Sequence, residues 1–388
     1  MTRMEKHSMA TPISVGILGM GSCLPAHVRG NDYWEGKLRP RDEEQRRRDF
    51  VVVERTAEGT PAELPEEIRA AMAAYSDDLF RGARLRHVLG DDEEVADMEA
   101  EAARRALADA ALDPQDIDLL MVHSPVPDAV SPYNPPTVQA RCGLTAAAAF
   151  SLDLGCASFH PQLLAAAGMI RAGFIRKALL VMSFAGSRIM DEHRPDSVGL
   201  GDAAAALVVG EVPAGYGLLG HYMRTDGRMR DGVVIAPVAN GSPQRCWWRA
   251  PGPFRLSSFD IAVGKQLGVR STEFCREACL GALAASGLTL ADVSFFICNQ
   301  SLGWFVDACR RGLGLAAEQT LDTFAEVANI AAAAIPFNLE RAHRTGRLRD
   351  GDIVLIYSPS AGFTRAASVY RWIAPERLRP TPSSPAIH

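Results

Sequence analysis

The chain lacks what would tie it to nucleic acid, membrane or an oxidising compartment. Among its 388 residues, 41 Lys and Arg stand against 46 Asp and Glu, a net charge of −5. A nucleic-acid binder carries a basic excess, so no nucleic-acid partner is expected. The one short basic run, Arg46, Arg47 and Arg48, sits in an acidic stretch and reads as a solvated face. No apolar run reaches the roughly 18 residues of a membrane-spanning helix. The opening MTRMEKHSMATP has no apolar signal core, so a cytoplasmic location with no membrane partner is expected. The eight cysteines include no CxxC pair, which argues against a disulfide framework. Cys275 and Cys279 share a helix face, but no histidine lies near them, so they read as core packing rather than a metal site.

What is present is ordinary globular material, 47% hydrophobic and 22% charged. The length suggests two core-forming halves. The chain also repeats itself. Ala106–His123 matches Ala282–Asn299 without a gap at a numbering difference of 176 (282 against 106, 299 against 123). Each stretch reads as a helix, a short turn and an apolar strand buried on both faces. A second pair begins at Cys156 and at Asn329. Each member is a helix that gives way to an apolar strand, KALLVMS or DIVLIYS. The expectation is a duplicated α/β protein with layered sheets and crossover helices, divided into halves 1–214 and 215–388. Cys156 and Asn329 then occupy equivalent positions, as do His123 and Asn299. All four follow apolar strands, where open α/β sheets bind ligands.

Of the eight cysteines, Cys156 alone has the setting of a nucleophile. An apolar strand ends at Gly155, which permits a tight turn. An amphipathic helix follows, with Pro161 in its first turn, where a missing N–H is harmless. A thiol at a helix N-terminus is expected to favour thiolate, which attacks a thioester and holds the acyl group. Backbone N–H groups at the same turn are expected to stabilise the oxyanion.

Several segments jointly resemble the ketoacyl-ACP synthase III family of the thiolase superfamily, over nearly the whole chain. They are ISVGILGMGSCLP, DMEAEAARRALADAALDPQDIDLLMVHSPVPD, LDLGCASF, VGLGDAAAALVVGE and EVANIAAAAIPFNLERAHRTGRLRDGDIVLIYSPSAGFTRA. The resemblance implies a five-layer α-β-α-β-α thiolase fold, a homodimer, no tightly bound cofactor, no metal, and acyl donors carried on CoA or acyl carrier protein. It implies that Cys156 is acylated and that Asn329 is the family asparagine. Asn299 stands where the family has histidine. Asparagine can donate a hydrogen bond but cannot take a proton. Either the chain works without that histidine, or residue 299 has been substituted to trap an acylated state; the sequence leaves both open. His160 and His123 are read as packing or interface residues. In the SPSAGFT loop, Ala361 and Gly362 stand where the family completes its oxyanion hole, Ala361 being the expected donor.

Three functions are compatible with these residues. The first is acyl transfer from CoA or acyl carrier protein to a hydroxyl or amine of a secondary-metabolite intermediate, the branch the chain looks closest to. The second is decarboxylative condensation, and the third is a non-catalytic partner subunit. The charged segment 36–78 reads as a solvated insertion. Trp247, Trp248 and Trp304 are candidates for an acyl pocket or for packing.

Overall fold

The computed structural model describes residues 13–38, 64–75, 78–194, 198–239, 241–249 and 252–379. Arg46–Arg48 and most of segment 36–78 lie outside them. Two sheets dominate. The first orders its strands Ser14–Cys23, Asp202–Val212, Ala178–Ala185, Leu119–His123 and Ala148–Ser151. The second orders Gly217–Thr225, Thr364–Arg371, Ile353–Ser360 and Phe295–Cys298. Read in this direction, both begin with two antiparallel pairings and continue with a parallel one. The fifth strand of the first sheet is reduced in the second to one parallel bridge, Phe296 to Thr320.

The repeat seen in the sequence holds element by element. Helix Val95–Ala110, the 3-10 turn Pro114–Asp116 and strand Leu119–His123 recur as helix Ser271–Ser286, turn Leu290–Asp292 and strand Phe295–Cys298. Their starts differ by 176 throughout (271 against 95, 290 against 114, 295 against 119). Both helices end as glycine-type caps, Ala111 and Gly287 having left-handed φ of 52° and 72°. Both 3-10 turns open on a capping box, Asp113 with Asp116 and Thr289 with Asp292.

Layering follows from the period-two alternation of the strands. One face of the first sheet, including Leu120, Val122, Leu179 and Val181, packs on helix Val95–Ala110. The corresponding face of the second, including Phe296, Leu355 and Val369, packs on helix Ser271–Ser286. The remaining faces, with Leu119, Met121 and Leu180 from one sheet and Ile297, Val354 and Ile356 from the other, close on helices Phe159–Arg171 and Ala334–Arg344. The result is five layers, α-β-α-β-α. Its central layer carries Cys156 and Asn329 just ahead of the two inner helices.

Cys275, Cys279, Cys298 and Cys309, scattered in sequence, meet inside the second half as free thiols, with Cys275 and Cys279 Sγ 3.9 Å apart. Among the described residues, no cluster of His, Cys, Asp or Glu is arranged to hold a metal ion. None of the described helices is long and apolar enough to cross a membrane.

Candidate active site

The four positions converge on one cavity of about 280 Å³, lined by His123, Cys156, Asn299 and Asn329 together; Asn329, expected after a strand, instead follows the short helix Phe324–Val327. The cavity roof comes from a small sheet and the helix after it, through Ile235, Leu256 and Leu267. The lining is mostly apolar, as in sites for small organic groups. Trp304 is buried at the wall, whereas Trp247 and Trp248, 51% and 64% exposed, stack edge-on outside it. The three tryptophans therefore divide, and only Trp304 faces an occupant.

Cys156 lies in a 3-10 turn, Gly155–Ala157, immediately before helix Phe159–Arg171. The turn requires glycine at 155, because φ is +53° and a Cβ there would lie 2.5 Å from Ser360 Oγ. Two hydroxyls pin it. Ser158 Oγ accepts from Leu154 N–H and donates to Gly155 O, while Ser360 Oγ donates to Leu154 O at 2.6 Å. The same contact brings in the SPSAGFT loop, whose Ala361 nitrogen would lie 4.0 Å from a Cβ on Gly155. Ala361 lines the cavity with Cys156; Gly362, with φ +119°, shapes the turn behind it and is not on the wall.

The thiol does not meet the expectation of a resting thiolate. The α-helix proper starts only at Phe159, and burial pushes the Cys156 thiol up to about 11. A backbone hydrogen bond opposes this rise and the charge of Asp153 adds to it. At pH 7 such a group is ionised in only about one molecule in 10⁴. Attack on a thioester then calls for a base.

Asn299 is fully buried, and its Nδ2 donates to Ala331 O at 2.6 Å. A carbonyl only accepts, so this contact fixes the amide's orientation. Oδ1 is left buried without a protein partner. Asn299 thus has an unpartnered acceptor, Oδ1, and, like Asn329, keeps one amide hydrogen beyond the bond it makes. Asn329 is arranged differently: Oδ1 accepts from Ala331 N–H and Nδ2 donates to Ser301 O, leaving one amide hydrogen over. Its loop is strained, with Ala328 at φ 57° and ψ −152° and Ala331 at φ 45°. Gln300, which sequence reading passed over, holds that loop by donating to Ala328 O and accepting from Thr323 and Asn338. The run of polar residues at 299 and 300 directly after a buried strand was the available signal.

The two other histidines part company. His160 packs against Ser368 through Nδ1, is away from the cavity wall, and burial beside His221 drives its ring down to about 3. It is a packing residue, as read from sequence. His123 is 1% exposed and lines the cavity; its Nδ1 lies 2.9 Å from Asp153 Oδ1, and Nε2 is buried with no protein partner. Asp153 Oδ1 also accepts from Gly155 N–H at 2.8 Å, and the hydrogen bond from His123 holds its carboxyl below the usual carboxylate range.

The fold has counterparts among known proteins. The model of 3-oxoacyl-[acyl-carrier-protein (ACP)] synthase III matches residues 150–227, and that of its C-terminal part matches 283–372. The beta-ketoacyl-[acyl-carrier-protein] synthase III of Rhodospirillum centenum is 31% identical over 366 residues, covering 93% of this chain and all of that protein. The crystal structure of the synthase III from Thermus thermophilus superposes with a TM-score of 0.74 at 29% identity, over 92% of this chain and 99% of that one. The priming beta-ketosynthase of the R1128 polyketide biosynthetic pathway superposes at 0.75 over 95% and 99%; at 22% identity this likeness concerns the fold alone. The protein is thus an enzyme-family member of thiolase fold. Within that class, it belongs to the 3-oxoacyl-[acyl-carrier-protein] synthase III family.

Proposed function

We propose that this chain takes an acyl group from acyl carrier protein or CoA onto Cys156 and passes it to a hydroxyl or amine of a small secondary-metabolite intermediate. The observation that carries the reading is the orientation of Asn299. Its Oδ1 is a buried acceptor with no protein partner, in a residue that lines the cavity where the family resemblance places histidine. An acceptor there satisfies the O–H or N–H of an incoming nucleophile. In the tetrahedral intermediate the oxyanion lies against the backbone N–H groups of Cys156 and Ala361, and the spare amide hydrogen of Asn329 adds a donor. The acyl thioester is a substrate, so no tightly bound cofactor is called for. A homodimer is part of the reading, supported by the outer edge strand Ala148–Ser151, whose Phe150 is 41% exposed.

Condensation onto a malonyl-type thioester is the second reading, favoured by the relatives that bear the synthase name. Intact-protein mass after incubation with acyl-CoA and acyl-N-acetylcysteamine donors tests loading, with Cys156→Ala as the control. The acyl-enzyme is then chased with amines and alcohols or with a malonyl thioester. Discharge by the first set alone supports transfer to oxygen or nitrogen; discharge by malonyl thioester with CO₂ release would replace it with condensation. A mass gain that survives Cys156→Ala would remove Cys156 from its role.

A further inference from the structure

We infer that His123, held by Asp153, is the general base of this site. The inference deepens the proposed function and rests on Cys156 being the nucleophile. Three features of position carry it. His123 and Cys156 line the same cavity. Asp153 Oδ1 takes both His123 Nδ1–H, at 2.9 Å, and the N–H of Gly155, the residue before the nucleophile, at 2.8 Å. This single oxygen ties the imidazole to the nucleophile turn. With Nδ1 carrying the proton toward Asp153, Nε2 is the bare nitrogen, and it is buried with no protein partner. A buried acceptor left unsatisfied at a cavity wall needs a donor from the occupant or the thiol.

Asp153 is a positioning residue. Its side chain is 72% exposed, so solvent screens its charge and its contribution is to fix the tautomer and ring plane rather than to form a strong ion pair. His160 cannot substitute, being turned to Ser368 away from the cavity.

The proton balance closes in both half-reactions. In loading, Nε2 takes the Cys156 S–H proton as the S–C bond forms at the donor carbonyl. The imidazolium returns that proton to the departing CoA or carrier thiolate. In transfer, Nε2 takes the O–H or N–H proton of the acceptor as it attacks the acyl-Cys156 carbonyl, and returns it to the departing Cys156 sulfur. No oxidant, metal or further reactant enters.

The test uses iodoacetamide, which needs no knowledge of the true donor. The rate of Cys156 alkylation is followed by peptide mass against pH for the native chain, His123→Gln and Asp153→Asn. In the native chain labelling at neutral pH is expected to be faster than the thiol's own ionisation allows. His123→Gln is expected to slow labelling at neutral pH by about 10²-fold, leaving a rate that climbs with pH toward the thiol's own ionisation. Asp153→Asn keeps the ring and is expected to slow labelling at neutral pH by a smaller factor while leaving the rate at high pH unchanged, which answers the question if His123→Gln does not fold. An unchanged profile in both variants overturns the inference. Labelling of other cysteines in preference to Cys156 in the native chain overturns the nucleophile reading itself, a separate failure.

Discussion

Asn299→His, made with and without His123→Gln, probes whether the site already owns a base. Asparagine Nδ2 and histidine Nδ1 occupy the same place on their side chains. The new ring is therefore expected to keep the bond to Ala331 O, now 2.6 Å from Nδ2, by carrying its proton on Nδ1. That leaves Nε2 bare and directed to the cavity, where the Asn299 oxygen now lacks a partner. The magnitude follows from the thiol. Pushed to about 11, Cys156 is short of thiolate at pH 7 by four decades (11 less 7), the most a base can restore at loading. General bases contribute about 10²–10⁴-fold, or about 3–5 kcal/mol at 1.36 kcal/mol per decade. If His123 already supplies this, Asn299→His alone changes the acylation rate by less than about 10-fold, whereas in the His123→Gln background it restores at least about 10-fold. Rapid-quench intact mass with an acyl-N-acetylcysteamine donor reads the rate directly. An equal gain of about 10² or more in both backgrounds would refute the reasoning, because independent effects mean that His123 contributes no proton transfer.

Three further outcomes are expected. Gly155→Ala forces a Cβ to within 2.5 Å of Ser360 Oγ at φ +53°; it should cost about 1–3 kcal/mol by thermal or urea melt and abolish Cys156 loading, and a native-like melt with native loading would contradict the turn argument. Burial raises Glu99 from 4.5 to about 7, against hydrogen bonds from Ser183 and Asn134, so the folded state keeps a proton that the unfolded chain releases between these values. Stability from Glu99 is therefore full below about pH 4.5 and falls as pH rises through about 7, by about 3 kcal/mol, while Glu99→Gln flattens that slope in urea titrations across the window. Ala328→Gly relieves a conformation natural only to glycine and should stabilise the fold by about 1 kcal/mol while slowing acyl transfer, since Asn329 is then held less firmly.

How much of this was legible in the sequence depends on how local its cause is. The paired helix, turn and strand at a spacing of 176 were readable because apolar runs and capping residues act within a few positions. Cys156 was readable because Gly155 and Pro161 mark a strand-to-helix turn. The charge state of its thiol was not, since the atoms that bury it come from distant segments. Which way the Asn299 amide would turn depended on one carbonyl, that of Ala331, 32 residues away. His123 looked like packing because its partner Asp153 lies on the far side of an intervening helix and strand, and composition carries no trace of that pairing. Trp247, Trp248 and Trp304 show the same limit: one residue type took two fates, decided by the loops around them.

The duplication explains how a base can change sides. Both sheets run in the same strand order, so the ends of Leu119–His123 and Phe295–Cys298 reach the cavity as equivalent corners. The family resemblance places histidine at the second corner. In this chain the second corner holds Asn299, and the first holds a histidine with its own carboxylate. Proton transfer needs a bare imidazole nitrogen near the sulfur and the carbonyl, and either corner meets that condition. Moving histidine from the second corner to the first keeps base chemistry. On the proposed reading, a base at the first corner suffices for a hydroxyl or amine acceptor, whose proton it takes as the acyl-Cys156 carbonyl is attacked.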